Sequence, residues 1–214
     1  MLDNSNVDRP SEAEGGDRRS RRREATKAEI LDAAWAIARE QGLTAISLRE
    51  LAARVGMRAP SLYQYFDSKH AIYDAMFGQA ARQAIEEVGI ARVDTSDARG
   101  ALRDRMHAMV RFMTTDPARA SLLFQRTIPG FEPSAESYAP AVEFLDSART
   151  GMGAIGITDP DALDMWTALV SGLANQQLAN DPGGDRWIRL IDRAVDMYLA
   201  EVAPQLLKPK KGKK

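Results

Sequence analysis

The chain has 214 residues, no cysteine, two histidines and a formal net charge of −1. That length makes one large domain or two small ones and is enough to bury a real core. Without cysteine there can be no disulfide framework, zinc–thiolate site or cysteine nucleophile.

The N-terminus, MLDNSNVDRPSEAEGGD, carries acids where a signal peptide needs a basic and then an apolar run. No apolar run approaches the roughly 18 residues of a membrane span. The expected place is the reducing cytoplasm. The near-neutral balance hides an asymmetry. Arg18 to His70 holds eleven basic residues against six acidic ones, and Ala71 to Leu207 twelve against nineteen. A basic front and an acidic back fit a front that meets a polyanion.

In chain order, residues 1–24 read as a disordered basic tail ending in RRSRRRE. It serves equally as a solvated tail or as an arm that follows a phosphate backbone or enters a minor groove. Thr26-Lys27-Ala28-Glu29 has the form of a capping box that opens a first helix. Ile30, Ala33, Ala34, Ile37 and Ala38 then recur at helical spacing, and Gly42 stops the run. Ser47-Leu48-Arg49-Glu50 repeats the capping box for a second helix, ended by Gly56 in the left-handed conformation. A short third helix follows, and a fourth starts near Asp67 or Ser68 and runs to about Val88.

Asp116-Pro117 and Asp159-Pro160 each pair an N-cap with a proline at N1, so two further helices start there. The remaining spans are about 97–114, 118–126, 134–148, 161–180 and 185–203. The fold class is all-α, with about nine helices. Its expected domains are the tail 1–24, a helix-turn-helix unit 25–70, a larger helical domain 71–204 and a basic tail 205–214.

Enzyme signals are thin. His70 and His107 fall in different helices, and no zinc-protease, nucleophile-elbow or P-loop motif is present. Gly151 to Gly156, GMGAIG, matches a dinucleotide-binding pattern, but a helical stretch precedes it where that chemistry needs a strand. It reads as a helix end. No catalytic residue, metal or cofactor is expected.

The richest stretch is SLRELAARVGMRAPSLYQYFDSK, Ser47 to Lys69. Leu51, Val55, Leu62 and Phe66 can bury against Ile30, Ala34 and Ile37, with Ala52 small where the backbones approach. That is a helix-turn-helix, whose later helix enters a DNA major groove. Arg58, Ala59, Pro60 and Ser61 then face the bases, and Arg58 is placed to fork onto a guanine edge. Gln64 reaches a base or a phosphate. Tyr63, Tyr65 and Lys69, with the caps Ser47 and Thr26 and the neighbouring Arg49, suit phosphate oxygens, which fix register. The free amides opening the fourth helix can hold another phosphate.

These residues resemble the tetracycline-repressor (TetR) family of bacterial transcription regulators. The resemblance rests on Glu40-Gln41-Gly42, Ser47, Leu51-Ala52, Gly56, Leu62-Tyr63-Gln64-Tyr65-Phe66 and Lys69, within Ala25 to Phe77. Arg58 and Pro60 stand where the family often has Ser and Gly. The resemblance implies a homodimeric, ligand-responsive regulator, a repressor that an inducer releases from a double-stranded operator. It also implies a variable helical domain that binds a small molecule and dimerises through its last two long helices.

For the ligand, Met106, His107, Met109, Met113, Phe124, Phe144, Met165 and Trp166 are the expected lining of an adaptable, largely apolar cavity. For the dimer interface, the candidates are Val170, Leu173, Ile188, Ile191, Val195, Tyr198 and Val202. The alternatives are a helical ligand carrier or enzyme using the same cavity, and a DNA-binding protein without a ligand.

Overall fold

The computed structural model describes residues 12–89 and 94–207. Those residues contain nine α-helices: α1 Glu12–Gln41, α2 Leu48–Arg54, α3 Ala59–Leu62, α4 Lys69–Val88, α5 Ala98–Thr115, α6 Pro117–Phe124, α7 Ala135–Ala154, α8 Pro160–Asn180 and α9 Ile191–Val202. Short 3₁₀ turns lie at Leu43–Ala45, Ile188–Leu190 and Pro204–Leu207. Among the described residues there is no strand. They divide into two compact units that part between Ile72 and Tyr73, within α4.

The first unit starts earlier than the capping box at Thr26 implies. Its helix α1 runs 30 residues from Glu12, so residues 12–24, expected as a disordered tail, are helical. Residues 1–11 lie outside the described part. The Thr26 hydroxyl donates to the Arg22 carbonyl at 3.1 Å, the back-bond of a mid-helix threonine and not a cap. Arg21 to Ala25 are good helix formers, no proline interrupts, and Asp17–Arg21 and Glu24–Lys27 add pairs one turn apart.

Ser47 caps α2 by accepting from the Glu50 amide at 3.2 Å. The reciprocal half of the box is absent. The Glu50 carboxylate accepts instead from Gln41 Nε2 at 3.0 Å and Arg54 Nη2 at 3.1 Å, tying α2 to the end of α1. A Schellman motif ends α2: Met57 N–H bonds the Ala52 carbonyl at 2.8 Å and Gly56 N–H that of Ala53 at 3.3 Å. The motif needs a positive φ at Gly56, observed at 67°. Ile30, Ala34, Ile37, Leu51, Leu62 and Phe66 are buried as expected, and Val55 is half-buried.

The second unit is built around α5, whose Leu102, Met106 and Val110 are buried in one core with Val170 and Ala174 of α8 and Ile191, Val195 and Leu199 of α9. Asp97, Asp116 and Asp159 cap α5, α6 and α8 through the amides of Gly100, Arg119 and Asp161. The prolines at 117 and 160 open α6 and α8 as the sequence implies. GMGAIG closes α7. Ile157 N–H bonds the Met152 carbonyl at 3.0 Å and Gly156 that of Gly153 at 3.0 Å, a second Schellman motif.

The expected helix over 185–203 begins later, with a 3₁₀ turn and then α9. Gln177 Oε1 accepts from the amides of Trp187 at 2.9 Å and Ile188 at 3.4 Å, and Asp181 from that of Arg186 at 2.9 Å. These bonds hold the approach to α9 as a turn. At the other end the chain is folded through Leu207, inside the expected tail 205–214, and residues 208–214 lie outside the described part.

The residues expected at a dimer interface are largely spent on the chain's own core. Val170, Ile191, Val195 and Tyr198 are at most 3% exposed, and Leu173, Ile188 and Val202 pack against them half-buried. The cause is α5, which takes the apolar stripes of α8 and α9 in the same chain.

Candidate nucleic-acid interface and ligand cavity

In the first unit, Leu62 and Phe66 anchor the short helix α3 and the turn after it. Their burial sets which groups point outward. Arg58, the N-cap of α3, is exposed with extended backbone (φ −84°, ψ 143°) and makes no cap bond of its own. Pro60, Tyr63 and Gln64 are exposed and Ala59 and Ser61 half-buried; Tyr63 is 56% exposed. Arg49 is exposed on α2. The result is a small polar ridge with one fork-shaped cation at its start, the chemistry that reads base edges and holds phosphates.

Four groups expected at phosphates also make contacts within the chain. Tyr65 is half-buried, with the Arg23 guanidinium 5.4 Å from its ring centroid. This cation–π contact ties the basic segment of α1 to the turn after α3. Lys69 Nζ donates to the Thr44 carbonyl at 3.2 Å, clamping the start of α4 to the turn before α2. The first turn of α4 is not fully open, because Ser68 accepts from the Ala71 amide at 3.0 Å. Thr26, bonded back within α1, is no cap for a phosphate to share.

An ion-pair cluster joins α1 and α2. Arg54 Nη1 meets Glu40 Oε1 at 3.0 Å and Nη2 meets Oε2 at 2.6 Å, with Glu50 as a third member. The hydrogen bond from Arg54 holds the Glu40 carboxyl below its usual range. In turn, Glu40 raises the Arg54 guanidinium.

The second unit contains a cavity of about 180 Å³. Met109, Phe124, Phe144 and Trp166, four of the ligand-binding candidates, line it. The other four candidates lie elsewhere. Met106 and Met113 are fully packed core, because their position on α5 faces α8 and α9. Met165 is 44% exposed on the outer side of α8. His107 places Nε2 3.1 Å from Asp192 Oδ1 on α9, so it is half of a polar pair between helices.

Sequence reasoning missed Arg105, Phe77 and Tyr138. Phe77 and Tyr138 stack at 6.0 Å between α4 and α7. Arg105 is the one charged residue in the lining, with its guanidinium 5.4 Å from the Phe144 ring centroid. A signal was present: Arg105 falls on the Leu102–Met106–Met109 face, three residues after the first and four before the last. Among the described residues, no group of three His, Asp or Glu side chains is arranged to hold a metal ion. No described helix is long and apolar enough to cross a membrane.

Comparison with known proteins agrees with this geometry. Residues 30–76 match the family model "Bacterial regulatory proteins, tetR family". The chain is 32% identical over 113 residues to the HTH-type transcriptional activator FasR of Mycolicibacterium smegmatis, covering 52% of each. It is 29% identical over 154 residues to the HTH-type transcriptional repressor DrrR1 of Streptomyces coeruleorubidus, covering 70% of this chain and 52% of that protein. The chain thus spans about half the length of the curated relatives it matches. In fold it is similar to the transcriptional regulator FadR of Bacillus subtilis, solved in complex with stearoyl-CoA. The TM-score is 0.61 at 18% identity, covering 82% of this chain and 97% of that one. Head and fold agree: residues 30–76 form a head of the tetR family of bacterial regulatory proteins.

Proposed function

We propose that this chain is a homodimeric transcription regulator, a repressor that leaves its operator when a small, largely apolar molecule enters the cavity of the second unit. One observation carries the reading. A helix anchored by buried Leu62 and Phe66 turns Arg58, Pro60, Tyr63 and Gln64 outward within a tetR-family head. A helix serving only to pack has no use for that edge.

The relatives support a regulatory role of either sign, since FasR is named an activator and DrrR1 a repressor. The longer match to DrrR1 favours repression. FadR, of the same fold, was solved with stearoyl-CoA, which supports a ligand in the helical domain. One short helix gives weak specificity, so two heads about 34 Å apart on a two-fold axis would read a pseudo-palindrome. The exposed stripe Met165, Ala168, Gly172 and Asn175 of α8, with Met197 of α9, is the face we assign to the second copy. The helix α4 gives its first turn to the head and the rest to the second unit, and is the lever of our reading. Moving operator-competent from 99:1 to 1:99 needs roughly 5.5 kcal/mol of differential ligand binding.

A gel shift on DNA upstream of the protein's own gene, repeated across salt, tests this. A retarded band that survives competitor DNA and weakens steeply with salt is expected. Absence of binding to any duplex at low salt rejects the reading.

A further inference from the structure

We propose that the cavity of the second unit selects a small organic carboxylate, and that Arg105 is the residue that receives its anion. This rests on the reading of the cavity as a ligand site.

The lining is aromatic and aliphatic except for Arg105 and a few hydroxyls, Thr167 and Ser171 among them. Arg105 Nη2 is buried and, among the described residues, has no hydrogen-bond partner. Burial pushes its guanidinium pKa downward, and no opposing carboxylate offsets that shift. Other arginines of the unit behave differently. Arg99 forks onto Asp196, Arg119 pairs with Asp116 and Arg149 with Asp146. Arg105 instead lies against the Phe144 ring. That contact leaves in-plane N–H donors for an acceptor that no described residue supplies.

A guanidinium stays charged at any ordinary pH, and burying it unpaired is costly. A neutral apolar ligand would deepen that cost by shielding the charge from solvent. A cation would be repelled. A planar carboxylate meets the fork with two charge-assisted bonds and satisfies the orphan donor.

Size narrows the class. The volume of about 180 Å³ slightly exceeds the ~150 Å³ that takes a benzene ring. Six residues of α7 separate Phe144 from Tyr138, about 9 Å of helix rise. An aromatic acid or a medium-chain fatty acid therefore fits, with its anion at Arg105 and its apolar end toward Phe77 and Tyr138. A second cavity of about 240 Å³ shares Phe77, Leu123, Phe124 and Tyr138, so a longer tail has somewhere to go.

The test is calorimetric titration of the full chain with benzoate, hexanoate, octanoate and decanoate, each against its primary amide, and with octanoyl-CoA. At least one acid should bind saturably and at least tenfold more tightly than its amide. Arg105→Met should lose that preference while amide binding and the melting temperature hold or rise. Arg105→Lys, which keeps charge without the fork, should fall between. Equal binding of acid and amide overturns the proposal. So does the absence of saturable acid binding at millimolar concentration, binding of the thioester alone, or an undiminished preference in Arg105→Met. If that variant does not fold, the acid–amide comparison on the unaltered chain decides. Operator binding is measured separately. Acid binding without any DNA affinity rejects the regulator reading and leaves this site standing. DNA binding without acid binding rejects this site alone.

Discussion

Arg54 forks onto Glu40 across fourteen residues of sequence, with contacts of 3.0 and 2.6 Å, and so joins α2 to the last turn of α1. Both groups touch solvent, so the pair's worth depends on salt and on its paired geometry more than on burial. Arg54→Met and Glu40→Gln should each lower the melting temperature at low salt. The double variant should cost less than the sum, and this coupling should fade as salt rises. The sign with pH is fixed by Glu40, whose carboxyl is held low by Arg54. Its contribution is present above the ordinary glutamate pKa and is lost as pH falls through the lowered native value. Melts of Glu40→Gln should lack that acid loss. A cycle that is additive at every salt concentration would leave the head's geometry to its apolar core alone.

The Arg58 side chain makes no cap bond at the start of α3, so Arg58→Ala should leave the melting temperature unchanged. Its effect should fall on one base pair per half-site, at about 1–3 kcal/mol of lost discrimination. Competition gel shifts against single-base operator variants would show the preference flatten at that position. A uniform loss on every duplex would move Arg58 to the phosphates.

Tyr63, more than half exposed, has a hydroxyl suited to a phosphate oxygen. Tyr63→Phe should weaken binding to all sequences by about 0.5–1.5 kcal/mol, the worth of one hydrogen bond. Because no cation is removed, the slope of affinity against salt should not change. A changed base preference would contradict this.

What the sequence made legible was the chemistry that is local. Asp116-Pro117, Asp159-Pro160, Ser47 and Gly56 each start or stop a helix through bonds made within a few residues, and each sits where expected. Thr26 shows the limit of that logic. The same four residues that form a capping box after a coil are mid-helix when the preceding turn is helical, and the motif does not say which. Apolar stripes have a related ambiguity. Their spacing shows that Val170, Ile191 and Val195 are buried but not against what, and α5 of the same chain took them. Likewise Met106 and Met109 stand one turn apart with equal claims on the cavity, and only packing separates them. Arg105 was readable in principle, as a cation on an otherwise apolar face.

In the core of the second unit, the Tyr198 hydroxyl donates to the Ala162 carbonyl at 3.0 Å beneath the edge-on ring of Trp166. Tyr198→Phe should cost about 0.5–1.5 kcal/mol at neutral pH by removing one buried hydrogen bond. Burial, helped by the Asp159 carboxylate, pushes the Tyr198 phenol up to about 12 from 10.0. Its raised native pKa means that the unfolded chain ionises first. The unaltered protein therefore loses up to ~2–3 kcal/mol as pH climbs from about 10 to 12, a loss the phenylalanine variant escapes. Denaturant titrations at neutral and alkaline pH should show the gap between the two closing. A gap constant to pH 12 would mean that the phenol ionises freely in the fold.

Gly172 tests the proposed dimer face without disturbing the subunit. It lies exposed in the middle of α8, and a Cβ there would meet nothing within 4 Å. Gly172→Arg therefore fits the single chain, and replacing a helical glycine should stabilise it by roughly 0.5–1 kcal/mol. A second copy packed closely over Ala168 and Gly172 has no room for the new side chain or its charge. Sedimentation should show the variant as a monomer with an unchanged or raised melting temperature. Its operator affinity should drop sharply, because two heads no longer share one effective concentration on the duplex. Gly153→Arg is the control, since that glycine of α7 is equally exposed and equally unobstructed but lies outside the α8–α9 face. If both variants stay dimeric, the second copy docks elsewhere; if both become monomers, the effect belongs to the added charge and not to the face.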